Sequence, residues 1–458
     1  AVAAPSTASA NGRFPGATQL VVLGDRGVLT SSFGLVTTGD RFATSSWSCE
    51  RAFGYDPTLN NDLGVGIFGD GTIVVSGPEG LTISTDRTCS NPTPSGPIAD
   101  RWFADVTVDA RRTTSGLAVS RGRRQQDCSG GEIFETLDDG RSWSKVSDLP
   151  PGFCPLTVDS APSDVTRVYV SGNALAADGL RLEGQLLVSD DRGATWTAHV
   201  VPDEPRPFIG AIHPTDKDTL YVRTSNPPAA GRLLISSDGA RTYRAIATLT
   251  GVPLQFFGVT GVALSPDGTR LAYGSVNDGL FVADAQGGAP ERRSALPVMC
   301  LTWTADGLYA CSAPNLCGPF FVGVSRDDGR SFDTLLPTLD VGGDRSTCAS
   351  GTPGASCSAE WAETRKRFAG CSDAGAPADG GSADAGAAPP PLPKVTCDCR
   401  FVGSDGGGGL RSAGALALAL LLVGVRRARR SQVRAPLLRL SETARRARWA
   451  WPRPGSGP

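Results

Sequence analysis

The chain has 458 residues, which is enough for one large repeat domain with appended segments and a sizeable core. Its 57 Gly and 34 Pro favour short strands and turns over long helices. The net charge of −2 conceals an asymmetry: from Arg426 onward there are ten Arg and one Glu, so the preceding residues sum to −11. This acidic balance argues against nucleic acid as the main partner.

The N-terminal residues and the cysteines predict secretion. The sequence opens at Ala1, and Ala8-Ser9-Ala10 resembles the end of a signal peptide, although an ordinary flexible leader is the alternative. Twelve Cys without a Cys-x-x-Cys pattern, beside only two His, favour disulfides over metal ligands. We therefore expect residues 1–17 to be a disordered leader, the compartment to be oxidising, and no metal or cofactor to be bound.

From residue 18 onward, pairs of short apolar strands recur between turn signals. The first pair is Gln19–Leu23 and Gly27–Thr30, and the seventh is Leu301–Thr304 and Gly307–Cys311. Each strand has four to six residues and is rich in β-branched and apolar side chains. Such even spacing is typical of a repeated sheet, with each pair opening one repeat.

A polar motif of the form Ser/Thr-x-Asp-x-Gly-x-Ser/Thr-aromatic comes after each pair. Full copies are Thr136–Trp143 and Ser189–Trp196, and near copies are Ser236–Tyr243 and Ser325–Phe332. Eroded copies surround Asp40, Asp86 and Asp284, so consecutive aspartates lie 43 to 53 residues apart. This period predicts propeller blades.

The motif is suited to a hairpin corner. Its carboxylate can accept hydrogen bonds from its own turn, its Gly permits positive φ, and its aromatic side chain can pack between sheets. The predicted structural residues are Asp138, Gly140, Trp143, Asp191, Gly193, Trp196, Asp238, Asp327 and Gly329. We predict an all-β, seven-bladed propeller of four-stranded antiparallel blades over residues 18–345, with six blades as the alternative.

The motif resembles the Asp-box (BNR) repeat of sialidases, sortilin-type receptors and photosystem assembly factors. The resemblance implies that these turns lie on the face away from the ligand site. Function is then expected on the opposite face, which we call the insertion face because its loops are long. Those loops are Ser48–Asp62, Ser90–Trp102, Arg121–Gly131, Asn173–Gly184 and Pro202–Phe208.

Three functions fit this organisation: a binding module for a carbohydrate or an envelope protein, a sialidase-like exo-glycosidase, and an envelope assembly factor with an apolar loop face. The Phe/Tyr-Arg-Ile-Pro motif of sialidases is missing near the first blade, where Arg13-Phe14-Pro15 has another order. We therefore predict no catalytic residue and favour the binding module. Charged candidates on the loops are Asp56, Asp178, Glu183, Asp203, Glu204, Arg121, Arg123 and Arg124.

Positions along the chain suggest cysteine pairs, although connectivity stays open at this stage. Cys49 and Cys89 each come after a motif in adjacent blades, Cys128 and Cys154 lie on insertion-face loops, and Cys311 and Cys317 bracket one loop. Cys300 is then expected to join Cys348, Cys357 or Cys371.

Four segments come after the predicted propeller. Residues 346–372 are Cys-rich with a helix capped by Ser358, 373–396 form a low-complexity linker, 397–430 a sorting segment, and 431–458 a basic tail. Cys397, Cys399, an apolar run and an Arg cluster resemble, in that order, the MYXO-CTERM sorting signal of myxobacterial surface proteins. The resemblance implies a protein on the cell surface, attached to the membrane by this segment; a simple membrane tail is the alternative. We separately expect a monomer.

Overall fold

A computed structural model describes residues 17–55, 63–123, 128, 130–176, 178–224, 231–250, 258–312, 318–337 and 348–368. These residues form seven antiparallel sheets, one α-helix and one short 3-10 helix. The prediction of an all-β, seven-bladed propeller is confirmed, and the six-bladed alternative is wrong. Within the same ranges, the helix is too short and too polar to cross a bilayer. The sorting segment with Cys397 and Cys399 lies outside the described residues.

The blades succeed one another along the chain. Blade 1 has β1 (Ala17–Leu23), β2 (Arg26–Ser31), β3 (Gly34–Thr38) and β4 (Ser46–Ser48); blade 2 has β5 (Gly64–Ile67), β6 (Ile73–Gly77) and β7 (Gly80–Ser84). Blade 3 has β8 (Arg101–Val108), β9 (Gly116–Arg123), β10 (Glu132–Thr136) and β11 (Ser144–Asp148); blade 4 has β12 (Cys154–Ala161), β13 (Asp164–Leu175), β14 (Leu182–Ser189) and β15 (Thr197–Val200).

The remaining blades repeat this order. Blade 5 has β16 (Pro207–Ile212), β17 (Leu220–Thr224), β18 (Gly231–Ser236) and β19 (Arg244–Leu249); blade 6 has β20 (Gly261–Leu264), β21 (Arg270–Ser275), β22 (Gly279–Asp284) and β23 (Glu291–Ser294). Blade 7 has β24 (Cys300–Thr304), β25 (Gly307–Cys311), β26 (Val322–Ser325) and β27 (Asp333–Leu336). Helix α1 spans Pro353–Phe368, and a short 3-10 helix spans Glu50–Phe53.

Blade 2 departs from the predicted four strands, since its described residues form only three. The segment after its turn contains Pro92, Pro94 and Pro97, which lack the N–H that a sheet ladder needs. The Ile83 N–H donates to the Pro92 carbonyl (3.0 Å), so the segment lies along β7. The prolines leave it outside the ladder.

The first strand of each blade lies at the centre of the ring. Each of these seven strands contacts the first strands of both neighbouring blades, which closes the circle. Each sheet consists of consecutive strands, so blades 1 and 7 exchange no strand. The first strands therefore line a central channel, with their N-terminal ends on the insertion face.

The aspartate turns lie directly after the third strand of each blade. In blade 4, Asp191 accepts hydrogen bonds from Ser189 Oγ (2.7 Å), the Thr195 N–H (2.8 Å) and Thr195 Oγ1 (2.6 Å). Equivalent bonds surround Asp40, Asp138, Asp238 and Asp327. Asp284, which lacks the hydroxyl partners, accepts from the Gly288 N–H alone at 3.0 Å. The motif is therefore a local hydrogen-bond network, most of which is missing in blade 6.

Glycine at the fifth position of the motif has a steric reason. In blade 3, Gly140 has φ +77°, and a Cβ there would lie 2.7 Å from Phe68 of blade 2. The motif aromatic Trp143 is buried among Phe68, Val74 and residues of its own blade. The turn thus fixes the packing of blade 3 against blade 2.

Ion pairs link adjacent blades on the face that carries these turns. Arg192 of blade 4 reaches Asp109 of blade 3 at 2.5 Å, and the Asp109 side chain is fully buried. Arg167 of blade 4 reaches Asp218 of blade 5 at 2.6 Å. One side chain of each pair is buried, Asp109 in the first and Arg167 in the second, so these ion pairs belong to the interface between blades.

The described residues contain four disulfides, and three of our pairing predictions are wrong: Cys49 with Cys89, Cys311 with Cys317, and Cys300 with the Cys-rich segment. Cys128 is bonded to Cys154. Cys49 and Cys89 are not bonded to each other, because Cys49 joins Cys357 and Cys89 joins Cys348. Cys311 is bonded to Cys300 instead of Cys317, which lies outside the described residues; the two are directly opposite each other on β24 and β25.

The Cys-rich segment is consequently attached to blades 1 and 2 and not to blade 7. Its helix also begins earlier than predicted, at Pro353 instead of after a Ser358 cap. Proline is suited to the first helical turn because the missing N–H has no partner there. On this helix, Trp361 is buried and Thr364 is half-buried.

Candidate functional site

The carboxylates predicted on the insertion-face loops are not brought together. Glu204 is buried and paired with Arg232 at 2.6 Å, and Asp178 pairs with Arg181 at 2.9 Å in the hairpin tip of blade 4. Asp203 is exposed, Glu183 is half-buried, and Asp56 lies outside the described residues. The four that the structure describes do not form the two-carboxylate geometry that glycoside hydrolysis requires.

Two arginines on the insertion face lie close enough for their charges to repel. Arg121, near the end of β9, is half-buried, and its Nε donates to the Pro155 carbonyl at the start of β12 (3.1 Å). Its guanidinium lies 5.3 Å from the ring centroid of Trp102. Arg206 is exposed and immediately precedes β16. Burial and the repulsion of Arg206 both lower the pKa of Arg121.

Neither of these two arginines forms an ion pair within the described part of the chain, whereas many others do. We call Arg121 and Arg206 the arginine pair. A third arginine, Arg223 on β17, lies 4.9 Å from the ring centroid of Phe208 in the same blade. Of the predicted basic loop, Arg123 is exposed and Arg124 lies outside the described residues. Arg223 also attracts the carboxylate of Asp105, which lowers the pKa of that group against the larger effect of burial.

Two carboxylates line the channel, and sequence reasoning missed both. Asp105 on β8 accepts a hydrogen bond from the Val158 N–H (3.0 Å), and Asp159 on β12 accepts one from Thr107 Oγ1 (3.1 Å). Burial and repulsion by Asp159 raise the pKa of Asp105 to about 8. Burial raises the pKa of Asp159 to about 7, so the pair carries less than its full charge near neutral pH.

The lining of the channel is polar at this level. Thr157 Oγ1 accepts a hydrogen bond from the Ile209 N–H (3.1 Å) and contacts Ser171 Oγ (2.6 Å). Hydroxyl and carboxylate groups on adjacent first strands can bind ligand hydroxyls as donors or acceptors. Over the described residues, no three His, Cys, Asp or Glu side chains group as metal ligands.

The repeated tyrosines belong to the packing between blades. Tyr169, Tyr221, Tyr273 and Tyr309 lie at equivalent positions in second strands and are buried. Tyr169 donates to the Lys217 carbonyl of blade 5 (2.6 Å), and Tyr221 bonds to the Ala285 carbonyl of blade 6. Burial raises the pKa of both phenols to about 12. A nucleophilic role finds no support in this geometry.

The sequence matches no protein-family model. It also matches no curated protein. Among solved structures, the chain is similar to the β-propeller domain of Cps50 (Swd1) from Myceliophteria thermophila, with 9% identity, a TM-score of 0.41, and coverage of 65% of this chain and 96% of that one.

Two further similarities are to glycoside-processing enzymes. The GH74 xyloglucanase from Xanthomonas campestris has 15% identity and a TM-score of 0.33, covering 68% of this chain and 62% of that one. The microbial sialidase Hz136 (Hadza) has 13% identity and a TM-score of 0.38, covering 55% and 62%. No activity transfers to this chain at such scores.

Proposed function

We propose that the protein is a binding module for an acidic carbohydrate, which the arginine pair holds at the insertion-face mouth of the channel. The single observation that carries this proposal is the repulsion between Arg121 and Arg206, which no carboxylate among the described residues offsets. A bound carboxylate relieves their repulsion and satisfies guanidinium N–H groups in the bidentate geometry that arginine favours.

A sugar fits the remainder of the mouth better than a bare anion. Arg121 lies near the C-terminal end of the second strand β9 and Arg206 immediately before the first strand β16, so both are on the insertion face of a channel whose first strands carry Asp105, Thr157 and Asp159. Ligand hydroxyls can reach these groups while the ligand carboxylate stays at the arginines. The ligand we propose therefore combines one carboxylate with several hydroxyls, as uronic and sialic acids do.

The test is a glycan array probed with the full chain and two variants. We expect binding to sialylated or to uronate glycans, and none to the same glycans after carboxyl reduction. Arg206→Gln should weaken binding about 10- to 100-fold, the effect of losing one charge-assisted contact. Arg112→Gln is the matched control, because Arg112 is exposed between β8 and β9 on the opposite face. Equal binding by both variants would place the ligand elsewhere.

A second candidate function is exo-glycosidase activity, which the channel carboxylates favour. Asp105 and Asp159 have raised pKa values near 8 and 7, and one protonated beside one ionised carboxyl is what acid–base hydrolysis needs. Release of 4-methylumbelliferone from its uronate and sialic acid glycosides would measure it. Hydrolysis by the wild type that Asp105→Asn abolishes would support an enzyme. If the wild type does not hydrolyse these glycosides but still binds glycans on the array, the binding module is the function.

We also propose that the protein is secreted and attached to the cell envelope, with repeats of the Asp-box type. Four disulfides support an oxidising compartment. Deleting residues 406–458 should move the protein from the envelope fraction to the medium. Double substitution of Cys397 and Cys399 by Ala should impair anchoring. Retention of the truncated protein in the envelope fraction would show that another segment anchors it.

A further inference from the structure

The contact between blades 7 and 1 differs from the other six contacts between blades. At each of those six, the polypeptide runs from one blade directly into the next. Blades 7 and 1 share no strand, because every sheet consists of consecutive strands. Their contacts include a hydrogen bond from Thr302 Oγ1 to the Leu20 carbonyl and a half-exposed ion pair between Arg41 and Asp306 at 3.2 Å. We call this contact the seam.

The segment Cys348–Phe368, which we call the strap, spans the seam covalently. It comes after blade 7 in sequence but is bonded to blades 1 and 2: Cys357 joins Cys49, directly after β4, and Cys348 joins Cys89 in the turn of blade 2. The chain and these two disulfides therefore close the ring from blade 7 to blade 1. No shared strand is needed.

Non-covalent contacts position the strap on blade 1. Trp361 of α1 lies against Trp47 of β4, with ring centroids 5.0 Å apart, and both rings are buried. Glu360 pairs with Arg51 at 3.6 Å. The Gly354 N–H donates to the Cys89 carbonyl (2.9 Å). These contacts cover the outer strand of blade 1, so release of the strap would expose a tryptophan pair.

The two disulfides differ in access to solvent. Cys49 and Cys357 are 1% and 0% exposed, whereas Cys89 is half-buried beside Cys348 at 6%. We propose that the strap is a redox-sensitive closure of the ring, opened in two steps by a dithiol reductant: first at Cys89–Cys348, then at Cys49–Cys357. Cys89, the most exposed of the four cysteines, is the entry point, and release of Cys348 frees the start of the strap before Cys357 becomes accessible.

Each step is a thiol–disulfide exchange. A reductant thiolate attacks the Cys89 sulfur, the Cys89–Cys348 bond breaks, and Cys348 leaves as a thiolate that takes up a proton. The second thiol of the reductant then displaces Cys89 from the mixed disulfide. The reductant ends as a disulfide and both cysteines end as thiols. The same exchange repeats at Cys49–Cys357.

The order of opening is tested with the full chain and graded dithiothreitol. Free thiols are trapped with iodoacetamide at each concentration and assigned by mass spectrometry of peptides. We expect Cys89 and Cys348 to be labelled at a dithiothreitol concentration at least tenfold below that for Cys49 and Cys357. Simultaneous labelling of all four, or labelling of Cys357 first, would overturn the stepwise opening.

The role in closure is tested by hydrogen–deuterium exchange of peptides that contain β1 and β24. Replacing Cys49, Cys89, Cys348 and Cys357 by Ser should speed exchange at least tenfold in both strands, while β12 and β16 stay unchanged. The control is Cys128→Ser with Cys154→Ser, which removes a disulfide within blades 3 and 4. If the fourfold variant does not fold, the variant Cys300→Ser with Cys311→Ser, compared before and after full reduction, gives the comparison without the disulfide that joins β24 to β25. Unchanged exchange at β1 and β24 would show that the strap does not close the ring.

Discussion

Replacing Asp191 by Ala removes three hydrogen bonds from the aspartate turn of blade 4. The lost donors are Ser189 Oγ, the Thr195 N–H and Thr195 Oγ1, at 2.6 to 2.8 Å. Hydrogen bonds to a charged group contribute about 1.5–3 kcal/mol each when buried, but this carboxylate is exposed and water replaces part of the loss. We therefore expect the free energy of unfolding to fall by about 2 kcal/mol in total.

The loss of stability caused by Asp191→Ala should become smaller as the pH falls. Hydrogen bonds from the Thr195 hydroxyl, the Thr195 N–H and Ser189 lower the pKa of Asp191 to about 2. A carboxyl with a folded pKa below its unfolded value of about 3.9 stabilises the fold above that value and loses this contribution as pH falls. The difference between wild type and Asp191→Ala should therefore be full at pH 6 and shrink between pH 4 and pH 2.

The assay is thermal unfolding followed by circular dichroism, with Asp284→Ala as the matched control. Asp284 occupies the same position in blade 6 but accepts only the Gly288 N–H, so its loss should cost about 0.5–1 kcal/mol. About 2 kcal/mol corresponds to a drop of about 3 °C in Tm for a propeller of this size. If the Tm of Asp191→Ala equals that of the wild type, or is no lower than that of Asp284→Ala, the turn network does not stabilise the fold.

Two further substitutions test buried charges. Arg192→Met should lower the free energy of unfolding by about 3 kcal/mol or more, because it leaves the fully buried Asp109 without its partner; Arg41→Met, at a half-exposed pair, should cost less than about 1 kcal/mol. Urea titration measures both, and equal losses would contradict the role of burial. Asp105 has a pKa of about 8, above its unfolded value, so its ionisation destabilises the fold as pH rises from 4 to 8. The free energy of unfolding of Asp105→Asn should therefore rise relative to that of the wild type as the pH goes from 5 to 8. If the difference between the two free energies stays constant over this range, Asp105 is already ionised at pH 5.

The fold could be predicted because its signals are local and repeated. Each blade carries its own strand pairs, and Asp138, Asp191, Asp238 and Asp327 mark turns whose partners lie within four residues. In blade 2 the repeat pattern led to a wrong prediction. Its motif predicts a fourth strand, but the prolines after Asn91 lack the backbone N–H donors that this strand would need.

The disulfides and the site depend on contacts that no local pattern encodes. Cys49 and Cys357 are 308 residues apart, and only closure of the ring brings the end of the chain to blade 1. The sequence gives only a weak indication of the channel carboxylates: Asp105 and Asp159 are charged residues in first strands, which are otherwise mostly apolar. The arginine pair combines a predicted loop residue, Arg121, with Arg206 from a later insertion, and only the ring geometry brings them together.

The central claim is that the arginine pair binds the carboxylate of an acidic sugar. Isothermal titration of the full chain with sialyllactose and with oligogalacturonate tests it most directly, each beside its carboxyl-reduced form. We predict that one acid binds and its reduced form does not, and that Arg121→Gln with Arg206→Gln abolishes this binding while Arg112→Gln leaves the Kd unchanged. Equal affinity for the acid and its reduced form, or unchanged affinity in the double variant, would contradict the claim.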